Sequence, residues 1–88
     1  MKWTVAYSKR ASSFIEEHGI EARVSDSIRD FILKITGSSI NIDVKKLKGE
    51  WAGYYRIRKG KIRIILRPDS ETGSVFVDIV DFRGSVYR

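Results

Sequence analysis

The sequence predicts a small α+β domain in which an N-terminal helical hairpin packs on one face of a small antiparallel β-sheet. Apolar residues recur at helical spacing up to about residue 36 and with a period of two from about residue 53 onward. The 88 residues, 42% of them hydrophobic, suffice for one core. The predicted order of elements is β-α-α-β-β-β, and residues 1–88 are expected to form a single domain.

The first half contains the predicted strand and both helices. "KWTVAY" alternates around Val5 and predicts a strand, after which Ser8 is a suitable N-cap. Gly19 ends the first helix, and a second helix is expected over about residues 21–36. The second helix carries one apolar stripe at helical spacing, formed by Val24, Ile28, Phe31, Ile32 and Ile35.

The second half reads as three strands. They are predicted over residues 53–58, 61–67 and 74–82, and "KG" and "PDSETG" form the turns between them. The preceding stretch, "SSINIDVKKLKGEWAG", is predicted to be a polar connection without regular structure.

The first two of these strands divide into an apolar and a cationic face. With Lys59 and Gly60 as a two-residue loop, Arg56 faces Arg63. A three-residue loop would mix arginines with isoleucines on both faces, which the pattern argues against. The core face then carries Tyr55, Ile57, Ile62, Ile64 and Leu66, and the other face carries Tyr54, Arg56, Arg58, Lys61, Arg63, Ile65 and Arg67. Facing arginines are unfavourable unless an anion bridges them, so this pair is a predicted phosphate clamp.

The net charge of +6 lies entirely in residues 44–88, because the charges of residues 1–43 cancel. Six basic side chains fall within "YYRIRKGKIRIILR" alone. Such an excess is ordinary on a solvated sheet face, but arginine outnumbers lysine here, and arginine suits bidentate phosphate contacts. An RNA-binding surface is therefore predicted, extended by the lysines of "KKLKG".

Several kinds of site are not expected. There is no cysteine and only one histidine, so disulfides and metal sites are not predicted, and no cofactor is expected. The sequence shows neither a signal peptide nor a membrane-spanning run, so a cytoplasmic location is expected. His18 fits a helix C-terminus better than a catalytic base. Trp51 is either a core lid or a base-stacking surface, and Glu50 is the only acid expected near the basic cluster, where a local ion pair is its expected role.

The order of "KKLKGEWAGYYRIRKGKIRIILR" and "VFVDIVDFRGSVYR" resembles the RelE/ParE superfamily of bacterial and archaeal type II toxins. The shared pattern is a lysine-rich segment, a basic strand led by tyrosine, a G-x-x-R return strand, and a last strand followed by arginine and "VY". The resemblance implies a small antiparallel sheet packed by a helical hairpin. It also implies a cognate antitoxin as partner.

RelE-like members of this superfamily are ribosome-dependent endoribonucleases that cut mRNA in the A site, and the resemblance implies this activity here. The implied catalytic residues are Arg56, Arg58, Arg63, Arg83 and Tyr87, and the expected RNA-binding lysines are Lys45, Lys46, Lys48 and Lys61. Guanidinium groups stabilise a phosphorane but accept protons poorly. The general base stays open between Tyr87 and, less favourably, Lys61. The alternatives are a ParE-like toxin that poisons DNA gyrase without cutting RNA, and a noncatalytic RNA-binding module.

Overall fold

A computed structural model describes residues 2–82, and its elements confirm the predicted α+β class. The elements in chain order are β1 (Thr4–Tyr7), α1 (Lys9–His18), α2 (Glu21–Ile35), β2 (Asp43–Lys46), a short 3-10 helix (Gly49–Trp51), β3 (Tyr55–Lys59), β4 (Ile62–Asp69) and β5 (Ser74–Phe82). The strands form one sheet in the order β1-β5-β4-β3-β2, and both helices pack against one of its faces.

The sheet is mixed, because β1 runs parallel to β5 while the other neighbours are antiparallel. Antiparallel pairing throughout was expected from the sequence. Parallel neighbours need a long crossover connection, which the helices and the three intervening strands provide here. Hydrophobic periodicity identifies strands but carries no information about their direction, so this pairing could not be seen in the pattern.

An additional strand, β2, lies within the stretch predicted to be a polar connection. It pairs antiparallel with β3, and Val44 lies opposite Ile57. A signal for it exists in the sequence, since Ile40, Ile42 and Val44 alternate with polar residues and all three are half-buried. This alternation is short, and lysines and a glycine follow it directly. Charged side chains are typical of a short strand at the edge of a sheet.

The helices begin and end where the sequence predicts. The hydroxyl of Ser8 accepts a hydrogen bond from the Ala11 amide at 3.0 Å, which is the geometry of an N-cap. Gly19 adopts a left-handed conformation with φ of 62°, and its amide donates to carbonyls of the last turn of α1. Within residues 2–82, neither helix is long and apolar enough to cross a membrane.

The hydrophobic core lies between the helices and the sheet. Its buried residues are Ala11, Ile15, Ile20, Val24, Ile28, Phe31, Ile57, Ile62, Ile64, Leu66, Val75, Val77 and Val80. Of the predicted stripe on α2, Val24, Ile28 and Phe31 are buried, whereas Ile35 at the end of the helix is exposed. The core face predicted for β3 and β4 is confirmed, because Ile57, Ile62, Ile64 and Leu66 all belong to this core and Tyr55 packs against it.

The register of the β3–β4 hairpin differs from the prediction by two residues. The loop is Gly60-Lys61, so Arg58 lies opposite Arg63, and Arg56 lies opposite Ile65. Only Gly60 has a positive φ there, of 59°, whereas a loop starting at Lys59 would require a lysine in that conformation. Glycine at the first loop position is the pattern of a type II′ turn. A shift by two keeps every side chain on its predicted face, but the predicted Arg56–Arg63 clamp is wrong.

A β-bulge in β5 changes which side chains face the core. Val77 lies opposite Leu66 and Ile79 lies opposite Ile65, so Asp78 is an extra residue without a partner on β4. Val75 and Val77 face the core before the bulge, and Val80 faces it afterwards. A strictly alternating strand would instead turn Asp81 toward the core.

The bulge is held by the start of α1. The Ser8 hydroxyl donates to the Asp78 carbonyl at 2.6 Å, and the Ser8 amide donates to the Val77 carbonyl at 2.8 Å. Arg10 donates to the Asp78 carbonyl and carboxylate, each at 3.2 Å. Ser8 therefore caps the helix and fixes the bulge with the same hydroxyl.

Replacing Ser8 by alanine removes both of these hydroxyl hydrogen bonds. We expect Ser8→Ala to lower the free energy of unfolding by about 1–2 kcal/mol, the upper part of the range for the loss of an N-cap, because a second hydrogen bond is lost with it. Urea denaturation measures this, with Ser13→Ala as the matched control, because Ser13 is an exposed serine inside the same helix. Equal effects of the two substitutions would contradict the dual role of Ser8.

Candidate functional site

The sheet face turned away from the helices, here called the outer face, carries a row of four charged residues. Asp43 on β2 lies opposite Arg58 on β3, Arg58 lies opposite Arg63 on β4, and Arg63 lies opposite Asp81 on β5. Two adjacent arginines are thus flanked by two carboxylates. This charged row is formally neutral, although its two central members have the same charge.

Arg63 and Asp81 form a bidentate ion pair. The Arg63 Nε donates to Asp81 Oδ1 at 2.9 Å, and Nη2 donates to Oδ2 at 2.8 Å. The two side chains are only 16% and 9% exposed. A buried fork of this kind fixes the orientation of the guanidinium, because both partners would lose hydrogen bonds by turning away.

Arg56 and Arg58 are held much more loosely, through one shared carboxylate. Asp43 Oδ1 lies 3.5 Å from Arg56 Nη2, and Oδ2 lies 3.8 Å from Arg58 Nε. The Nε atoms of both arginines are buried without a hydrogen-bond partner in the described part of the chain. Buried donors without partners are costly, and the one carboxylate that holds both guanidinium groups is 56% exposed, so an anion can compete with Asp43 for them.

Both carboxylates of the site were missed by the sequence analysis, which expected Glu50 to be the only acid near the basic residues. Asp81 is brought to the outer face by the bulge in β5, and Asp43 is brought there by β2. Neither residue could be placed without those two elements. The charged row itself is neutral, so the excess positive charge of the outer face comes from the neighbouring pair on β2 and β3, in which Lys45 lies opposite Arg56.

The predicted RNA-binding lysines are not all brought together. Lys45 shares the outer face with Arg56, but Lys46 lies opposite Tyr55 and so belongs to the face that carries the helices. Lys48 is exposed immediately before the 3-10 helix. The Lys61 ammonium lies 5.7 Å from the centre of the Phe82 ring. Arg83 and Tyr87 lie outside the described residues.

The Arg63–Asp81 pair leads to a stability prediction. We expect Asp81→Asn to lower the free energy of unfolding by about 3–5 kcal/mol, because it leaves the buried Arg63 without its counter-charge. The matched control is Asp43→Asn, whose parent side chain is 56% exposed and more distant from its arginines, and its expected cost is below about 1 kcal/mol.

Urea denaturation of the two variants provides the comparison. If Asp81→Asn is no more destabilising than Asp43→Asn, the buried pair does not hold the centre of the outer face. The double variant Arg63→Met/Asp81→Leu should recover much of the loss, since it removes both charges together.

Comparisons with known proteins identify similar folds. No family model matches the sequence, and no curated protein sequence matches it significantly. Among solved structures, the RelB–RelE antitoxin–toxin complex of Methanococcus jannaschii contains a chain that is 26% identical, with a TM-score of 0.66 and coverage of 93% of this chain and 94% of that one.

Two further structures agree with this finding. A chain of the toxin–antitoxin complex RelBE2 of Mycobacterium tuberculosis is 26% identical, with a TM-score of 0.61 and coverage of 94% of this chain and 100% of that one. A chain of the archaeal RelE–RelB complex of Pyrococcus horikoshii is 22% identical, with a TM-score of 0.69 and coverage of 98% and 100%. The resemblance predicted from the sequence is confirmed, and the chain has the fold of the RelE-like toxins of type II toxin–antitoxin systems.

Proposed function

We propose that this chain is the toxin of a type II toxin–antitoxin system and that it inhibits translation by cleaving mRNA in the ribosomal A site. Residues 1–88 form the single toxin domain, which acts in the cytoplasm. The observation that carries the proposal is the pair Arg56 and Arg58, whose guanidinium groups share one exposed carboxylate, Asp43, at 3.5 and 3.8 Å and lie beside the further positive charge of Lys45. A phosphate group supplies the acceptor oxygens that these donors need.

The proposed reaction is an internal transesterification. The ribose 2′-oxygen attacks the adjacent phosphorus, the bond from phosphorus to the 5′-oxygen breaks, and the intermediate phosphorane carries additional negative charge. Arg56 and Arg58 contact the phosphate oxygens and stabilise that charge. Arg63, oriented by Asp81, stands beside them with a fixed guanidinium. Preorganised charge of this kind is often the largest contribution to catalysis.

Proton transfer needs other groups. The 2′-hydroxyl must lose a proton and the 5′-oxygen must gain one, and a guanidinium is a poor acceptor. Tyr87 is the first candidate for the base or for stacking on a nucleotide, and Lys61 is the second. The resemblance gives Arg83 as a further catalytic residue that would supply positive charge. The lysines proposed to bind ribosomal RNA phosphates are Lys45, Lys46 and Lys48.

The proposed partner in the resting cell is a cognate antitoxin. The similar chains from M. jannaschii, M. tuberculosis and P. horikoshii occur in antitoxin–toxin complexes. An antitoxin segment over the outer face would meet the net positive charge there. A gene for a small protein with an acidic tail or a DNA-binding domain beside the gene for this chain would support the assignment.

The proposed cleavage is tested in a translating extract by mapping new 5′ ends of ribosome-bound mRNA. We expect the wild-type protein to produce ends within A-site codons, and Arg56→Ala to reduce their rate of formation by at least about 100-fold, the usual loss for a transition-state charge contact. Arg56 is preferable to Arg63 for this test, because removing Arg63 leaves the Asp81 carboxylate buried without its partner.

Arg29→Ala is the matched control, because Arg29 is an exposed arginine of α2 that is paired with Asp26 and Asp30 away from the outer face. It should cut like the wild type. If the wild type arrests translation without new mRNA ends, the nuclease proposal is wrong. Accumulation of cleaved gyrase–DNA complexes in a plasmid-supercoiling assay would then identify a ParE-like poison.

A further inference from the structure

An arginine stacked among aromatic rings lies on the outer face, away from the charged row. The guanidinium carbon of Arg67 is 5.5 Å from the centre of the Tyr54 ring and 5.9 Å from the centre of the Phe76 ring. The Trp51 ring meets Tyr54 edge-on, with ring centres 5.0 Å apart and an interplanar angle of 89°. We call Trp51, Tyr54, Arg67 and Phe76 the aromatic strip.

The aromatic strip is not part of the core. Arg67 is exposed, and all three rings are half-buried. None of the rings belongs to the hydrophobic core cluster or to the residues described as packing against it. The strip is on the outer face because Arg67 lies two residues after Ile65 on β4 and opposite Phe76 on β5. The three rings are therefore partly accessible at the surface, where a ligand can contact them.

An open cavity of 590 Å³ adjoins the aromatic strip. Arg67 and Phe76 line it together with Ala6 and the carboxylate residues Asp69 and Glu71, and Arg67 is the one basic residue of the described lining. Its volume lies within the roughly 300–1,000 Å³ typical of sites for small molecules and parts of larger ligands.

The strip also lies close to the arginines proposed to bind phosphate. Tyr54 precedes Arg56 by two residues, a separation of roughly 7 Å along an extended chain. Arg67 follows Arg63 by four residues on β4, with Ile65 between them on the same face. A single strand with one phosphate on Arg56 can therefore place the base of a neighbouring nucleotide on the strip.

We propose that the aromatic strip is a base-stacking subsite for single-stranded RNA. This inference rests on the proposed function, because the RNA bound by the strip is the substrate that the outer face cleaves. Aromatic rings and the flat guanidinium group both stack on nucleobases, and Arg67 adds a cation near the backbone. Stacking of this kind accepts any base, because every base has a π face. The strip therefore positions the strand, whereas the arginines of the charged row and Arg56 contact its phosphates.

The experiment compares the binding of two RNA oligomers at low salt. One is a short single-stranded oligoribonucleotide, and the other has the same length and phosphates but no bases. Binding is followed by Trp51 fluorescence in a Trp3→Phe background, in which Trp51 is the only tryptophan. We expect the protein with an unchanged aromatic strip to bind the oligomer with bases at least about fivefold more tightly than the abasic one. This factor is the lower end of the effect of one stacked base.

Two variants remove stacking in different ways. Arg67→Lys keeps the charge but loses the flat guanidinium, and Tyr54→Leu keeps an apolar side chain but loses the ring. Each should reduce the preference for bases to about twofold or less while leaving affinity for the abasic oligomer unchanged. Arg29→Lys is the matched control on α2 and should keep the full preference. Thermal unfolding of each variant verifies that it is folded.

The outcomes separate this inference from the proposed nuclease activity. Three results would overturn the stacking subsite. They are equal binding of the two oligomers by the wild type, a full preference for bases retained in Arg67→Lys, and no binding of either oligomer. A preference for bases that depends on Arg67, in a protein that produces no mRNA ends in the extract, would support the subsite and contradict the nuclease. New mRNA ends together with equal binding would contradict the subsite alone.

Discussion

The extra residue at Asp78 determines which side chains meet on the outer face. Before the bulge, Val75 and Val77 point to the core, and after it Val80 does the same. Without the bulge, β5 could not bury its valines on both sides of Asp78 while presenting Asp81 to the opposite face. The strand would have to expose apolar side chains or bury a carboxylate among the helices, and both are costly.

The bulge connects the helical layer to the charged row. The Ser8 hydroxyl bonds to Asp78 and caps α1, so the position of the first helix and the register of β5 depend on each other. From Asp78 the chain continues to Asp81, which holds Arg63 in the centre of the outer face. The helices contribute no described side chain to the charged row, yet the placement of α1 supports the geometry of the site.

The sequence predicted the parts of this molecule that depend on local periodicity. The limits of both helices, the Ser8 cap and the two faces of β3 and β4 follow from spacing and were confirmed. The direction of β1 depends on the long connection between β1 and β5. The register of the β3–β4 hairpin depends on the φ angle of one glycine, Gly60. Of the predicted site, the arginines of β3 and β4 lie on one face as expected, but the carboxylates were missed because Asp43 and Asp81 reach it only through β2 and the bulge.

The two carboxylates have different consequences for an anion that binds to the arginines. The charged row is neutral, so a phosphate can pair with one of its arginines only if a carboxylate moves away from that arginine. The alternative partner for the phosphate is Arg56, which lies next to the row. Asp81 is 9% exposed and bound through two short hydrogen bonds, and separating it from Arg63 would leave a buried charge. Asp43 is 56% exposed, lies on an edge strand and contacts its arginines at 3.5 and 3.8 Å.

Asp43 is the exposed partner in both of these long contacts, each of which contributes about 1 kcal/mol or less, so Asp43 can be displaced at low cost. The site thus combines one arginine with a fixed partner, Arg63, and two arginines whose shared partner, Asp43, can be replaced. Asp43 reduces the repulsion between Arg56 and Arg58 when no anion is bound, and in the proposed function a phosphate would replace it and satisfy the same guanidinium groups with more oxygens. The arginines of the outer face, unfavourable neighbours by themselves, are thereby compatible with both a stable fold and the proposed phosphate binding.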